Sequence, residues 1–287
     1  MSDNIILIAG ATGNNGRALT GLLAEAGYQV RALVRNLQSA QSLMQPNVQL
    51  CEGDLNNPSS LKAAFENVDR AFIATTIMPN TVELFQNFFD AAKLTTGAHI
   101  VKFSALGADH PKSLVQQQHA ESDKALIASG LPYTILRPNS FYQNMLWSAE
   151  SIRATGQFYL PFGDAKQSLV DVRDLAEVAA KAFTEAGHQG QIYDLTGPES
   201  LSYSDVAKQL SRLLDKQVTY VPIANETALQ GMLDSGMPEW TAKALAELYS
   251  VFATGEYAET NKSIQIITGK PATPFASWAS DHRSAFA

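Results

Sequence analysis

Cysteine is nearly absent from this chain: of 287 residues only Cys51 carries a thiol. A lone thiol excludes an internal disulfide framework and fits a reducing compartment; near the end of a strand it reads as a small buried residue. Basic residues are scarce relative to acidic ones, 21 against 28, which leaves a net charge of -7 and a pI near 5.2. Neither nucleic acid nor an anionic membrane is therefore expected as a general partner, since both select basic faces. No apolar run approaches the roughly 18 residues needed to span a bilayer, and no charged-then-apolar segment precedes Ile5. A cytoplasmic location without membrane attachment is expected. The five histidines, His99, His110, His119, His188 and His282, show no metal-ligand spacing with one another or with Cys51, so no metal is expected. A G-x-S-x-G elbow is also missing, which leaves hydrolase chemistry without support.

What is present begins at residue 4, with NIILIAGATGNNGRAL. Five apolar residues, Ile5 to Ala9, run into Gly10, Gly13 and Gly16, and a helical pattern follows. A continuous apolar run reads as a parallel strand covered on both faces. Glycines in the next turn let the chain fold back sharply, let backbone approach a pyrophosphate, and let the helix pack on the strand. The helix start offers free N–H groups to the phosphates. Gly-rich turns also occur without ligands, but here the turn lies between strand and helix. Gly10, Thr12, Gly13, Asn14, Asn15 and Gly16 are accordingly expected to cradle a dinucleotide.

Strands are expected at YQVRALVRN, at VQLCEGD, at RAFIATT and at HIVKFSA, with helical patterns between them. That alternation specifies α/β architecture with a doubly wound parallel Rossmann sheet. A sixth strand, LPYTILRP, follows the helix HAESDKALIASG, which Gly130 caps. Beyond Asn139 the pattern loosens. SLVDVRDLAEVAAKAF reads as strand then helix, GQIYDLTG and QVTYVPI as strands, and the tail as mostly helical. The expected division is a cofactor domain of residues 1–138 with 168–196, and a smaller, mostly helical C-terminal substrate lobe of 139–167 with 197–287.

The cofactor can be narrowed. NAD sites place an acidic residue at the end of the second strand to bind the ribose 2′-OH. Between Glu25 and Glu52 this chain has no Asp or Glu, and Arg35 stands at the expected place, with Arg31 earlier in the strand. A guanidinium there pairs with a 2′-phosphate, so NADP(H) is favoured; the plainer alternative is a solvated loop charge. Asp54, followed by Leu55, is placed either to reach the adenine amino group or to cap a helix. Ligands of open α/β sheets lie beyond the carboxyl ends of the strands, which here supply Thr75, Thr76, Ser104, Pro138, Asn139, Ser140 and Phe141.

The GxxGxxG turn, ALVRN, GDLNNPSSL, SGLPYTILRP and VDVRDLAEVAA together resemble the NmrA-like, atypical branch of the short-chain dehydrogenase/reductases, over nearly the whole chain. It looks closest to the bacterial members that reduce quinones and triphenylmethane dyes. The resemblance implies that Thr75 and the segment from Arg137 to Tyr142 line the cofactor's ribose and nicotinamide. Ser104 takes the superfamily's hydroxyl position, and Tyr142 and Asn144 become substrate contacts. The superfamily's Tyr-x-x-x-Lys pair is missing: no tyrosine from Tyr28 to Tyr257 has a lysine four residues on. Its register holds Val115 and His119. His119 is thus expected to bond the nicotinamide ribose, the alternative being a structural histidine. The aromatics Phe141, Tyr142, Trp147, Phe158, Tyr159 and Phe162 form either a wall for a ring substrate or core.

Reducing an ordinary ketone creates an alkoxide that needs a tuned acid, whereas a hydroquinone anion is far more stable and a cationic dye carbon needs no proton. The expected activity is NADPH-dependent hydride transfer to quinones or similar electron-poor aromatic acceptors. The competing expectation is a catalytically weak, NADP(H)-sensing regulator acting through a protein partner. The expected partner is a small aromatic substrate, and the homodimer is left open.

Overall fold

A computed structural model describes residues 5–287. The first apolar run forms β1 (Ile5–Ala9), followed by α1 (Asn14–Glu25), β2 (Gln29–Val34), β3 (Val48–Glu52), α2 (Pro58–Ala64), β4 (Val68–Ile73), α3 (Thr81–Thr95), β5 (His99–Phe103), α4 (Leu114–Ser129) and β6 (Tyr133–Pro138). Then come a 3₁₀ helix (Tyr142–Ser148), α5 (Ala149–Thr155), β7 (Gln157–Leu160), β8 (Lys166–Gln167), α6 (Val172–Thr184) and β9 (Gln191–Leu195). The remainder holds β10 (Leu201–Ser202), α7 (Tyr203–Leu214), β11 (Thr219–Pro222), α8 (Asn225–Asp234), α9 (Glu239–Phe252), α10 (Ser263–Thr268), α11 (Phe275–Asp281) and α12 (Arg283–Phe286).

Seven strands make one parallel sheet in the order β3-β2-β1-β4-β5-β6-β9. Strand order reverses between β1 and β4, so a ligand crevice opens above their carboxyl ends. Alternation along β1 sends Ile6 and Ile8 to one face, where Leu19 and Leu23 of α1 meet Leu175 and Val178 of α6. Leu7 and Ala9 go to the other, against Phe85, Phe88 and Phe89 of α3. Phe65 and Phe88 pack with ring centroids 4.8 Å apart, and burying one such ring stabilises the fold by about 1.5–3 kcal/mol. A separate core fills the C-terminal lobe, built from Tyr142, Phe158, Phe162, Tyr203, Phe275 and Trp278. There β7 pairs β11 in parallel.

One expectation needs correction. The strand read into SLVDV is not formed: the two-residue β8 ends just before it, and within it only a single bridge joins Val170 to Phe141. The backbone there bonds to irregular partners instead: Ser168 N–H donates to Tyr257 O, Val170 N–H to Ser140 O, and Ser168 O accepts from Gly197. Ile264 of α10 is buried in the core between sheet, α1 and α6, with Ile267 and Ala272 packed beside it. No helix among the described residues is long and apolar enough to cross a membrane.

Candidate active site

The glycine turn is shaped by close approach of backbone. Gly10 has φ +81°, and a Cβ there would lie 2.4 Å from Ala74 O, at the end of β4. A Cβ on Gly16 would lie 2.2 Å from Gly10 O, so the helix start sits directly on the turn. Gly13 caps α1 without any side-chain hydrogen bond, and no acidic residue occupies the first turn. The first N–H groups of α1 thus have no side-chain cap among the described residues and face the crevice end of β1, which suits an anion. Thr12, Gly13 and Asn14 are exposed, and the buried Oδ1 of Asn15 has no partner among the described residues. An open cradle of donors beside an orphaned acceptor fits a pyrophosphate-bearing cofactor.

Arg35 follows β2 and is exposed, near enough to Asp54 to lower that carboxyl's pKa, although the Asn56 backbone N–H is the larger cause. Asp54 Oδ1 accepts from Asn56 N–H at 2.9 Å, closing the turn before α2, and Leu55 beside it is half-buried. Arg17, in the first turn of α1, donates to Ser42 at 3.1 Å and ties the loop after β2 to the helix start. Arg31 is not part of the site, because its guanidinium donates to the carbonyls of Ala64 and Glu66.

Beneath the ends of β5 and β6 lies a charged cluster that the sequence reading missed. Lys102 of β5 is fully buried, and its Nζ donates to Asp123 Oδ1 at 2.8 Å. Asp123 Oδ2 accepts from Ser104 Oγ at 2.9 Å and from Nε and Nη2 of Arg137, each at 3.2 Å. The Lys102 ammonium also lies 4.3 Å from the centre of the Phe85 ring and 3.5 Å from His119 Nδ1. Burial pulls the Lys102 pKa down to about 8, against the opposing attraction of Asp123. Burial first, and the Lys102 charge second, hold His119 well below the usual histidine range. His119 is therefore a neutral imidazole near pH 7, a donor or acceptor rather than a cation. A signal for this cluster was present: a lysine interrupts the apolar run IVKFS, and lysine is almost never fully buried unless paired.

The other expected residues divide. Thr75, Ser140, Phe141 and Asn144 are half-buried and Thr76 is exposed, all at or beyond strand ends. Pro138 is buried, its carbonyl accepting from Leu106 N–H. Asn139 is buried with its amide donating to Ser168 Oγ and Tyr257 O, and its Oδ1 accepts from Ser140 N–H. It clips the crevice segment to the C-terminal lobe. Tyr142 is the clear correction among the substrate contacts. It is wholly buried against Phe275 and Trp278, and burial pushes its phenol far above the ordinary tyrosine range, so it supplies no acid near neutrality. Of the aromatic group, Phe158 and Phe162 are core as well, whereas Trp147 and Tyr159 are exposed. A groove of about 700 Å³ between α3 and α4, lined by Glu83, Gln86, Gln117 and Glu121, faces solvent and shares no residue with the cluster.

The NmrA-like family profile matches residues 2–274. The NAD(P)H azoreductase of Xenophilus azovorans is 39% identical over 284 residues, covering 98% of this chain and 99% of that protein. The NADPH-dependent quinone oxidoreductase of Escherichia coli, solved with NADPH, is similar with a TM-score of 0.87 at 29% identity, covering 97% of this chain and 99% of that one. The Citrobacter sp. triphenylmethane reductase complexed with NADP(H) gives a TM-score of 0.85 at 26% identity, covering 98% and 99%.

Proposed function

We propose that this chain, which belongs to the NmrA-like family, is an NADPH-dependent reductase of quinones and comparable electron-poor aromatic acceptors, dyes among them. The observation that carries the reading is a crevice with an open helix start at Gly13 and an exposed arginine at the end of β2, in a sequence that has no Tyr-x-x-x-Lys pair. Names of similar proteins support it, since azo, quinone and triphenylmethane reduction all use electron-poor acceptors. When bound, the cofactor supplies a hydride from its nicotinamide ring.

The chain's own residues bind and orient. The N–H groups at the start of α1 hold the pyrophosphate, and Arg35 neutralises the 2′-phosphate. Thr75 and the segment from Pro138 to Phe141 flank the nicotinamide end, and His119 donates to its ribose. Ser104 is engaged by Asp123 and works as a strut of the cluster. Asn144, Phe141, Trp147 and Tyr159 are the groups open to a ring substrate. Without an acid, the rate rests on holding donor and acceptor in contact, and the hydroquinone anion takes its proton from water.

Steady-state NADPH oxidation with a small quinone, a triphenylmethane dye, an azo dye and a simple aliphatic ketone tests this reading. Turnover of at least one aromatic acceptor and none of the ketone is the expected pattern. Protein that binds NADPH yet turns over none of the aromatics would sink it and favour the sensing role. His119→Ala is expected to raise the KM for NADPH while leaving only a modest kcat defect. A fall in kcat of about 10²- to 10⁴-fold, the range for losing a general acid, would instead make His119 the proton donor.

A further inference from the structure

We infer that Lys102 is a positioning residue that fixes His119 as the neutral imidazole carrying its proton on Nε2. The inference rests on the reading of His119 as the group that orients the cofactor, and it adds how that group is held in one state. Alternation along β5 places Ile100 and Lys102 on the face packed by α3 and α4, and Ser104, two residues on, continues that line. His119 and Asp123 are four residues apart on α4 and therefore lie one above the other on the same stripe. Lys102 sits between them, 2.8 Å from Asp123 Oδ1 and 3.5 Å from His119 Nδ1.

An ammonium has three donors and no lone pair. Of the three directions at Nζ, one is taken by Asp123, one points at Phe103 O at 3.4 Å, and one meets Nδ1. The nitrogen that faces it can only accept, so the single proton of a neutral imidazole belongs on Nε2. Protonating Nδ1 would set two N–H donors against each other and bring a second positive charge to a buried lysine. Ion pairing alone explains neither feature, because both Asp123 oxygens are already engaged by Lys102, Ser104 and Arg137. The charged groups around the pair are few. Asp123 comes from α4 and Arg137 from β6. Asp109, in the loop after β5, lies 3.9 Å from Arg137, whose charge also reaches Asp194 of β9. From α3 the neighbour is the uncharged ring of Phe85, 6.0 Å from the His119 ring centre.

The device does the job of the superfamily's lysine in a different way. A cationic side chain on the helix is replaced by a neutral donor whose tautomer is set from the strand below. It holds as long as Lys102 is charged, and it weakens as pH rises through about 8.

The test is nitrogen-15 NMR of the histidine side chains in the full-length protein, where long-range proton couplings distinguish the tautomers. Wild-type His119 is expected to show an unprotonated Nδ1, a protonated Nε2, and no titration at the ordinary histidine value. In Lys102→Met, and in Lys102→Met/Asp123→Asn, which removes both buried charges should the single variant fail to fold, the His119 pKa is expected to rise by at least about one unit with mixed tautomers. The KM for NADPH should then rise on the acid side of neutrality only in the variants. A wild-type proton on Nδ1, a wild-type titration near pH 6.5, or a His119 titration unmoved by the substitutions would overturn the inference. The tautomer is read without turnover, so a protein that reduces no acceptor yet keeps this signature would defeat the reductase reading alone.

Discussion

Asp123→Ala is expected to lower the free energy of unfolding by about 3–5 kcal/mol at pH 7, measured by urea denaturation, because it strands Lys102 and Arg137 without their shared carboxylate. Lys102 is fully buried, so the lost partner cannot be replaced by water without opening the helix pair. The pH dependence follows from the depressed lysine. Its folded pKa, about 8, lies below the ordinary value, so the unfolded chain binds more protons between the two, and stability increases as pH rises through that window. Removing Asp123 depresses the folded value further. The deficit of the variant is therefore fully present below that lower value and shrinks as pH rises through about 8, where wild-type Lys102 also becomes neutral. An unfolding deficit under about 1 kcal/mol, or one independent of pH from 7 to 9, would show that the cluster is not held by charge.

Arg35→Ala is expected to weaken NADPH roughly ten- to a hundredfold, the equivalent of about 1.5–3 kcal/mol for one charge-assisted contact, and to leave NADH nearly unchanged. Only NADPH carries the 2′-phosphate. Fluorescence titration of both cofactors checks this, and equal losses for the two would make the arginine structural. Arg17, held by Ser42, keeps the loop in place in the variant.

The sheet was legible because its strands are written in apolar runs and its first turn in glycine. The packing explains why: β1 is covered on both faces, and a Cβ at Gly10 or Gly16 would strike backbone oxygen. SLVDV misled because its alternation is that of a strand while its backbone partners, Tyr257 O and Ser140 O, lie far along the chain or in a loop. Tyr142 misled for a related reason. Sequence places it just past the crevice segment, but Phe275 and Trp278 draw it into the lobe core, and nothing local announces them. On α4 the inner face buries Gln116, Gln118, Ser122 and Asp123, so its apolar periodicity is faint and the helix hides its most charged neighbour. Lys102 was readable in principle, as a lysine within a buried strand four residues from whose histidine, on the next helix, stands an aspartate. The pairing that makes sense of it exists only in three dimensions.

Hydride transfer from protein-bound NADPH to a quinone is the central claim, and a single anaerobic turnover addresses it directly. Wild-type protein loaded with one equivalent of NADPH is mixed with a small quinone, and the absorbance of the reduced nicotinamide is followed while hydroquinone is quantified. Complete loss of the reduced nicotinamide, matched mole for mole by hydroquinone, is expected. Bound NADPH that remains reduced in the presence of excess quinone would refute the reductase assignment.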